Sequence, residues 1–167
     1  MALGKQLVAA LRRLDAGGTE GPLVVAHGQA SARLELADRD RYSAAVRSLE
    51  VALGEREAPA DARAELSARA AALIRRLSYL EEPLAVWELE GGERLAQLRS
   101  SPPQREGEEV AYWEVTLRAA ERPTASIARY RWAPGMPERE VVVYPATFAL
   151  IGRLADSLEA ALAEAEG

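Results

Sequence analysis

In the stretch VAYWEVTLRAAERPTASIARYRW, residues 110–132, apolar and polar side chains alternate on both sides of a proline-containing turn. An alternation of period two is typical of a β-strand that buries one face. Residues 109–119 and 124–132 are therefore predicted to form two antiparallel strands joined by the turn AERP.

The same periodicity extends outward from this hairpin. Residues 84–100 are predicted to form another hairpin, in which the glycine pair 91–92 accepts the positive φ of a tight turn. Residues 101–107 are predicted to be a polar loop, and residues 139–144 a further strand. The remaining elements are predicted as helices over 2–15, 58–80 and 147–165 and as strands over 23–28 and 31–37. Residues 42–53 fit a helix or a strand, and we favour a strand over 45–53.

This order of elements predicts a single α+β domain over residues 1–167. An antiparallel β-meander is covered on one face by amphipathic helices, in the order α-β-β-(β)-α-β-β-β-β-β-α. Gly152 inside the last helix suggests a close approach of that helix to the sheet. The element order and the acidic charge resemble those of small dimeric secretion chaperones, a resemblance that involves no individual residue.

Composition excludes several kinds of function. A formal net charge of −5 argues against binding nucleic acid or an anionic membrane. No apolar run is long enough to span a membrane, and the first residues are too amphipathic for a signal peptide, so a cytoplasmic protein is expected. The absence of Cys excludes disulfides and thiol catalysis, and a single histidine leaves little for metal binding, so no cofactor is expected. Twenty arginines against one lysine, with no asparagine, are typical of a GC-rich genome or a thermophile.

The strands after residue 83 are predicted to have an apolar face and a polar face. The apolar face comprises Trp87, Leu89, Ala96, Leu98, Trp113, Val115, Leu117, Ala128, Tyr130 and Trp132. The polar face comprises Glu88, Glu90, Gln97, Arg99, Glu114, Thr116, Arg129 and Arg131. All three tryptophans are thereby expected to be buried beneath the last helix.

The polar face carries the residues that we expect to bind a partner, which are Arg99, Glu114, Arg129 and Arg131. Pairing through the AERP turn would set Glu114 across from Arg129 or Arg131. Cross-strand ion pairs are the simpler interpretation of this pattern. The alternative is that the guanidinium groups bind the carboxylates of a protein partner, because arginine is enriched at interfaces.

Three functional hypotheses follow. The first is a non-enzymatic binding or adaptor module that forms a homodimer and engages a protein partner, because no catalytic motif is evident. The second is an enzyme that holds a divalent metal ion with Asp38, Asp40 and His27. The third is a small-ligand pocket between the sheet and the helices, lined by Trp113 and Trp132.

Overall fold

Ten antiparallel strands form one sheet in the computed structural model, which describes residues 2–14 and 21–164. The helices are α1 (Ala2–Arg13), α2 (Ala62–Arg76) and α3 (Phe148–Leu162). The strands are β1 (Leu23–His27), β2 (Ala30–Arg39), β3 (Ser43–Ala52), β4 (Leu84–Glu90), β5 (Leu95–Ser100), β6 (Gln104–Glu106), β7 (Glu109–Arg118), β8 (Thr124–Trp132), β9 (Glu140–Val142) and β10 (Tyr144–Thr147). The predicted α+β class and order of elements are confirmed.

The strands are ordered β1-β2-β3-β8-β7-β5-β4 across the sheet, and the three short strands add to this path. Strand β6 pairs with β7, β9 with β8, and β10 with β3. The hydrophobic core lies between the helices and the inner sheet face, where Leu49, Ile127, Val115 and Leu98 follow one another from strand to strand. All four side chains are fully buried.

The ambiguous segment 42–53 is strand β3, as favoured. One edge of this strand pairs with β2, and its other edge is divided between two strands. Residues 49–52 pair with β8, whereas residues 43–46 pair with β10. Val51, which disagreed with a helical stripe, is fully buried between Ala32 and Ala125.

Helices α2 and α3 begin at side-chain caps. Asp61 accepts a hydrogen bond from the backbone N–H of Ala64, and Thr147 accepts one from Leu150. Helix α2 is shorter than predicted, because residues 58–60 precede its cap and the chain tightens into a 3₁₀ turn at Ser78–Leu80. Within the described residues, no helix combines the length and the apolar character needed to cross a bilayer.

Helices α1 and α3 pack closely through two glycines. A Cβ atom on Gly152 would lie 2.9 Å from Cγ2 of Val8, and one on Gly4 would lie 2.5 Å from the carbonyl oxygen of Gly152. The backbone N–H of Gly4 also donates to Asp156 Oδ1 at 2.8 Å. The prediction that Gly152 allows a close approach to the sheet is therefore wrong about the neighbour, which is helix α1.

Three local predictions are wrong. The polar loop 101–107 contains strand β6, and the predicted strand 139–144 is divided into β9 and β10, which pair with different neighbours. In the hairpin turn after β4, the residue with positive φ is Arg94, at 57°, and neither glycine of the pair adopts that conformation. The Arg94 guanidinium donates to the Pro59 carbonyl at 2.9 Å, which helps to hold this turn.

Candidate functional site on the open face of the sheet

The sheet face opposite the helices, here called the open face, carries the residues that lie between the core positions of each strand. Arg99 of β5 lies directly across from Glu114 of β7, and Glu114 lies across from Ala128 of β8. Directly opposed residues project from the same face of a sheet. Arg99 and Glu114 therefore share one face, as predicted, but Glu114 lies beside Arg99 and not across from Arg129 or Arg131.

The predicted faces of β8 are wrong by one residue. Arg118 pairs with Thr124, so the loop between β7 and β8 contains five residues, from Ala119 to Pro123, instead of the predicted four. Ala119 leaves this ladder, and its N–H donates to the carbonyl of Arg94 at 2.9 Å. A shift of one residue moves every side chain of a strand to the opposite face.

Consequently Arg129 and Arg131 lie on the same face as Trp113, whereas Tyr130 and Trp132 lie on the open face with Glu114. The sequence contains a signal for this register. Ile127, the strongest β-former of β8, has the same parity as Arg129, and its side chain is fully buried against Val115.

Glu114 is only 4% exposed although it lies on the open face. Its carboxylate accepts a hydrogen bond from Arg99 Nε at 3.0 Å and two parallel bonds from Arg139, each 2.8 Å long. Such paired bonds to a guanidinium are strong and fix the orientation of both groups. The hydrogen bonds from Arg139 to Glu114 raise the pKa of Arg139 above its ordinary value.

Aromatic rings lie against both guanidinium groups. The Arg99 guanidinium carbon lies 4.6 Å from the centre of the Trp87 ring and 5.2 Å from that of Tyr112. The Arg139 carbon lies 3.7 Å from the centre of the Tyr130 ring. The resulting Glu114 cluster, which spans β4 to β9, consists of Glu114, Arg99, Arg139, Trp87, Tyr112 and Tyr130.

The expectation that all three tryptophans are buried is wrong for two of them. Trp87 is 66% exposed and Trp132 is 38% exposed, whereas Trp113 is partly buried against the core and contacts Tyr144 edge to face. Trp132 is exposed because the one-residue shift of β8 places it on the open face, opposite Val110.

Trp87 is exposed because of an irregularity in β4. Val86 pairs with Leu98 and Glu88 pairs with Gln97, so Trp87 is an extra residue between two consecutive pairs. A β-bulge of this kind changes the direction of the inserted side chain. The Trp87 ring thus lies beside Arg99 on the open face, away from Leu89, which remains packed against the core.

The other two predicted partner-binding residues have local ion-pair partners. Arg129 is buried, donates to Glu82 at 2.9 Å and to Gln104 at 2.8 Å, and lies over the Trp113 ring. Arg131 pairs with Glu109 at 3.0 Å and with Glu140 at 2.6 Å. The structure therefore places neither residue with Glu114, and both cross-link neighbouring segments.

The residues of the metal hypothesis are not brought together. His27 lies at the β1–β2 turn, where it pairs with Ala30, the first residue of β2. Asp38 lies eight residues further along β2. At about 3.3 Å per residue, that separation is roughly 26 Å. Asp40 accepts hydrogen bonds from the N–H groups of Tyr42 and Ser43, and these bonds lower the pKa of its carboxyl group. Among the described residues, no group of three or more His, Cys, Asp or Glu side chains is placed to hold a metal ion.

The ligand-pocket hypothesis required Trp113 and Trp132 to line one cavity between the sheet and the helices. The two rings project from opposite faces of the sheet. Trp132 is paired with Val110 of β7, and Val110 and Trp113 are an odd number of residues apart, so their side chains point to opposite faces. The two rings therefore cannot line a common pocket on the helix side of the sheet.

Sequence reasoning missed four of the six residues of the Glu114 cluster, including Trp87, which was assigned to the apolar face. Arg139 precedes β9, and no local pattern links it to β7 across strand β8. Tyr112 and Tyr130 face each other on the open face, where their ring centres are 6.1 Å apart, and the parity of Ile127 would have placed Tyr130 there. Comparisons with protein-family models, curated proteins and solved structures found no match to this chain.

Proposed function

We propose that the protein is a non-enzymatic binding module that forms a homodimer and engages a protein partner through the Glu114 cluster on the open face. The observation that carries this proposal is the exposed Trp87 ring beside Arg99, on a face that the helices leave uncovered. Tryptophan, tyrosine and arginine are the residues most enriched at the energetic centres of protein interfaces.

The cluster has the rigidity that favours tight binding. Glu114 fixes both arginines, and the rings of Tyr112 and Tyr130 support them from the side. Ordering a free, rotamer-rich side chain at an interface costs about 0.5–1.5 kcal/mol. Because Arg99 and Arg139 already have defined orientations, most of that cost is avoided when a partner binds.

The charge of the cluster indicates the chemistry of the partner. Two guanidinium groups surround one carboxylate, which leaves one positive charge on this surface of a protein whose net charge is −5. Trp87, Trp132 and Val141 add exposed apolar area on the open face. The complementary surface is a segment that carries a carboxylate next to apolar side chains.

The first experiment is affinity capture from the native host, with the wild-type chain compared against Trp87→Ala and Arg99→Glu. The matched control is Tyr42→Ala, because Tyr42 is another exposed aromatic residue, at 71%, and lies outside the cluster. We expect a specific partner to be retained by the wild type and the control and lost from both cluster variants. Equal retention by all four proteins would contradict the assignment to this face.

The homodimer is tested separately by size-exclusion chromatography with light scattering. The chain mass is 18.1 kDa, so a dimer would be measured at about twice this value. A monomer at high protein concentration would remove the dimer from the proposal without affecting the partner-binding face.

A further inference from the structure

A second surface, separate from the Glu114 cluster, has an unusual concentration of positive charge. A cleft of about 900 Å³ lies between the end of α1, the β2–β3 turn and the start of α3. Its lining includes Arg12, Arg39 and Arg41, together with the exposed ring of Tyr42 and the buried side chain of Phe148. Three guanidinium groups in one cleft repel one another unless an anion lies among them.

The arginines of this cleft differ from the arginines that cross-link neighbouring segments of the sheet and helix α2. Arg56, Arg99, Arg129, Arg131 and Arg139 all form ion pairs with glutamates. By contrast, Arg12, Arg39 and Arg41 form no ion pair with any carboxylate of residues 2–14 and 21–164. The Nε atom of Arg39 is buried and finds no hydrogen-bond acceptor in the same ranges.

Asp40, which also lines the cleft, offsets part of this charge through its electrostatic attraction to Arg39. Asp40 Oδ1 accepts hydrogen bonds from the backbone N–H groups of Tyr42 and Ser43, at 2.9 and 2.8 Å. Its Oδ2 accepts from the Ser43 hydroxyl at 2.9 Å. Arg39 contacts the Asp40 carbonyl oxygen instead, at 2.9 Å. Asp40 therefore holds the turn, and the guanidinium groups of Arg12 and Arg41, with Nε of Arg39, are the donors proposed to meet a ligand.

The start of α3 contributes little to the positive character of the cleft. The N–H of Phe148 donates to the carbonyl of Tyr42 at 2.8 Å, and that of Leu150 donates to the Thr147 hydroxyl. These donors are already satisfied within the chain. The arginine side chains, which converge from α1 and from the β2–β3 turn, are the groups that would hold an anion.

We infer that this cleft binds a small molecule that carries phosphate groups. A phosphate offers several oxygens and close to two negative charges, which suits three guanidinium groups better than the two oxygens and single negative charge of a carboxylate. The volume is in the range of small-ligand sites, and Tyr42 and Phe148 provide apolar surface for the organic part of such a molecule. This inference is independent of the proposed partner-binding face.

The test is a titration of the full chain with inorganic pyrophosphate, measured by isothermal titration calorimetry at low ionic strength. We expect saturable binding that weakens at least about tenfold in Arg41→Gln and in Arg12→Gln, because a hydrogen bond to a charged group is lost in each. Arg118→Gln removes the same charge from an exposed position on β7 and should bind as the wild type does. Far-UV circular dichroism establishes that all variants are folded.

Two further ligands test whether the cleft selects phosphate groups over carboxylates. ADP should compete with pyrophosphate, since it has the same phosphate chemistry, whereas citrate at equal ionic strength should bind more weakly. Absence of saturable binding, equal weakening in the Arg118→Gln control, or citrate binding as tight as that of pyrophosphate would each overturn the inference.

Discussion

Two buried glutamates of this protein, Glu65 and Glu114, are each held by two arginines, but in different surroundings. Glu65 lies in the first turn of α2, is 6% exposed and binds Arg69 at 3.1 Å and both guanidinium nitrogens of Arg56. Arg56 also donates to the Ala120 carbonyl at 3.3 Å. This network joins the β3–α2 connection, helix α2 and the β7–β8 loop, so its donors are used within the chain.

At Glu114 the carboxylate is equally buried, yet its arginines lie against aromatic rings at the protein surface. The outer side of the Trp87 ring faces solvent. A buried carboxylate that binds two arginines is therefore not itself a sign of function. The neighbours of the guanidinium groups distinguish a structural cross-link from a candidate binding surface.

The largest expected effect is that of Glu65→Ala. Removal of one member of a buried ion pair leaves uncompensated charge and typically costs about 3–5 kcal/mol. We expect a loss of that size in the free energy of unfolding, measured by urea denaturation. Glu57→Ala, an exposed position in the same connection, should change it by less than about 0.5 kcal/mol. Similar stabilities of the two variants would show that the Glu65 network is not a structural cross-link.

Glu114→Ala should destabilise the protein less, by about 1–3 kcal/mol, because Arg99 and Arg139 can turn toward water once the carboxylate is removed. The same denaturation measurement checks this value. The variant should also lose the captured partner, which Glu65→Ala, where it remains folded, should retain. A stability loss as large as that of Glu65→Ala would remove the contrast between the two networks.

The stability contributed by the Glu65 network should depend on pH. Burial raises the pKa of Glu65, but the hydrogen bond from Arg56 and the charge of Arg69 outweigh burial and hold it below its ordinary value of 4.5. A depressed pKa in the folded state stabilises the fold above the unfolded-state pKa, and this contribution is lost as the pH falls through the folded-state pKa. The decrease in stability below about pH 4.5 should therefore be shallower in Glu65→Gln than in the wild type. Parallel pH profiles in urea denaturation would contradict this expectation.

The smallest expected effect is that of Trp87→Ala on stability. The ring is mostly exposed and lies in a bulge at the sheet edge, so the free energy of unfolding should change by less than about 0.5 kcal/mol. The thermal midpoint of this variant, compared with that of Trp113→Ala, measures the difference. A large loss for Trp87→Ala would mean that this ring belongs to the core rather than to a binding surface.

Periodicity predicted the α+β class and the hairpins because period two and period 3.6 are local properties of the chain. It could not predict the faces of β8, since one additional loop residue, Ala119, reverses them. The bulge at Trp87 is likewise a property of the pairing between β4 and β5. Arg99 and Glu114 were placed on the correct face because both lie in regular alternation. Arg139 reaches Glu114 across strand β8, and Arg56 reaches Glu65 from the irregular connection before α2, so neither contact follows from strand periodicity.

The divided edge of β3 has implications for synthesis of the chain. The partner of residues 43–46 is β10, about 100 residues later in the sequence. At about 5–20 residues per second, a ribosome needs roughly 5–20 s to make that intervening segment. Throughout this interval the nascent polypeptide exposes unpaired backbone groups on one side of a central strand, where a neighbouring chain could add. Helix α3 emerges directly behind β10, so closure of the sheet and covering of its core are coupled in time.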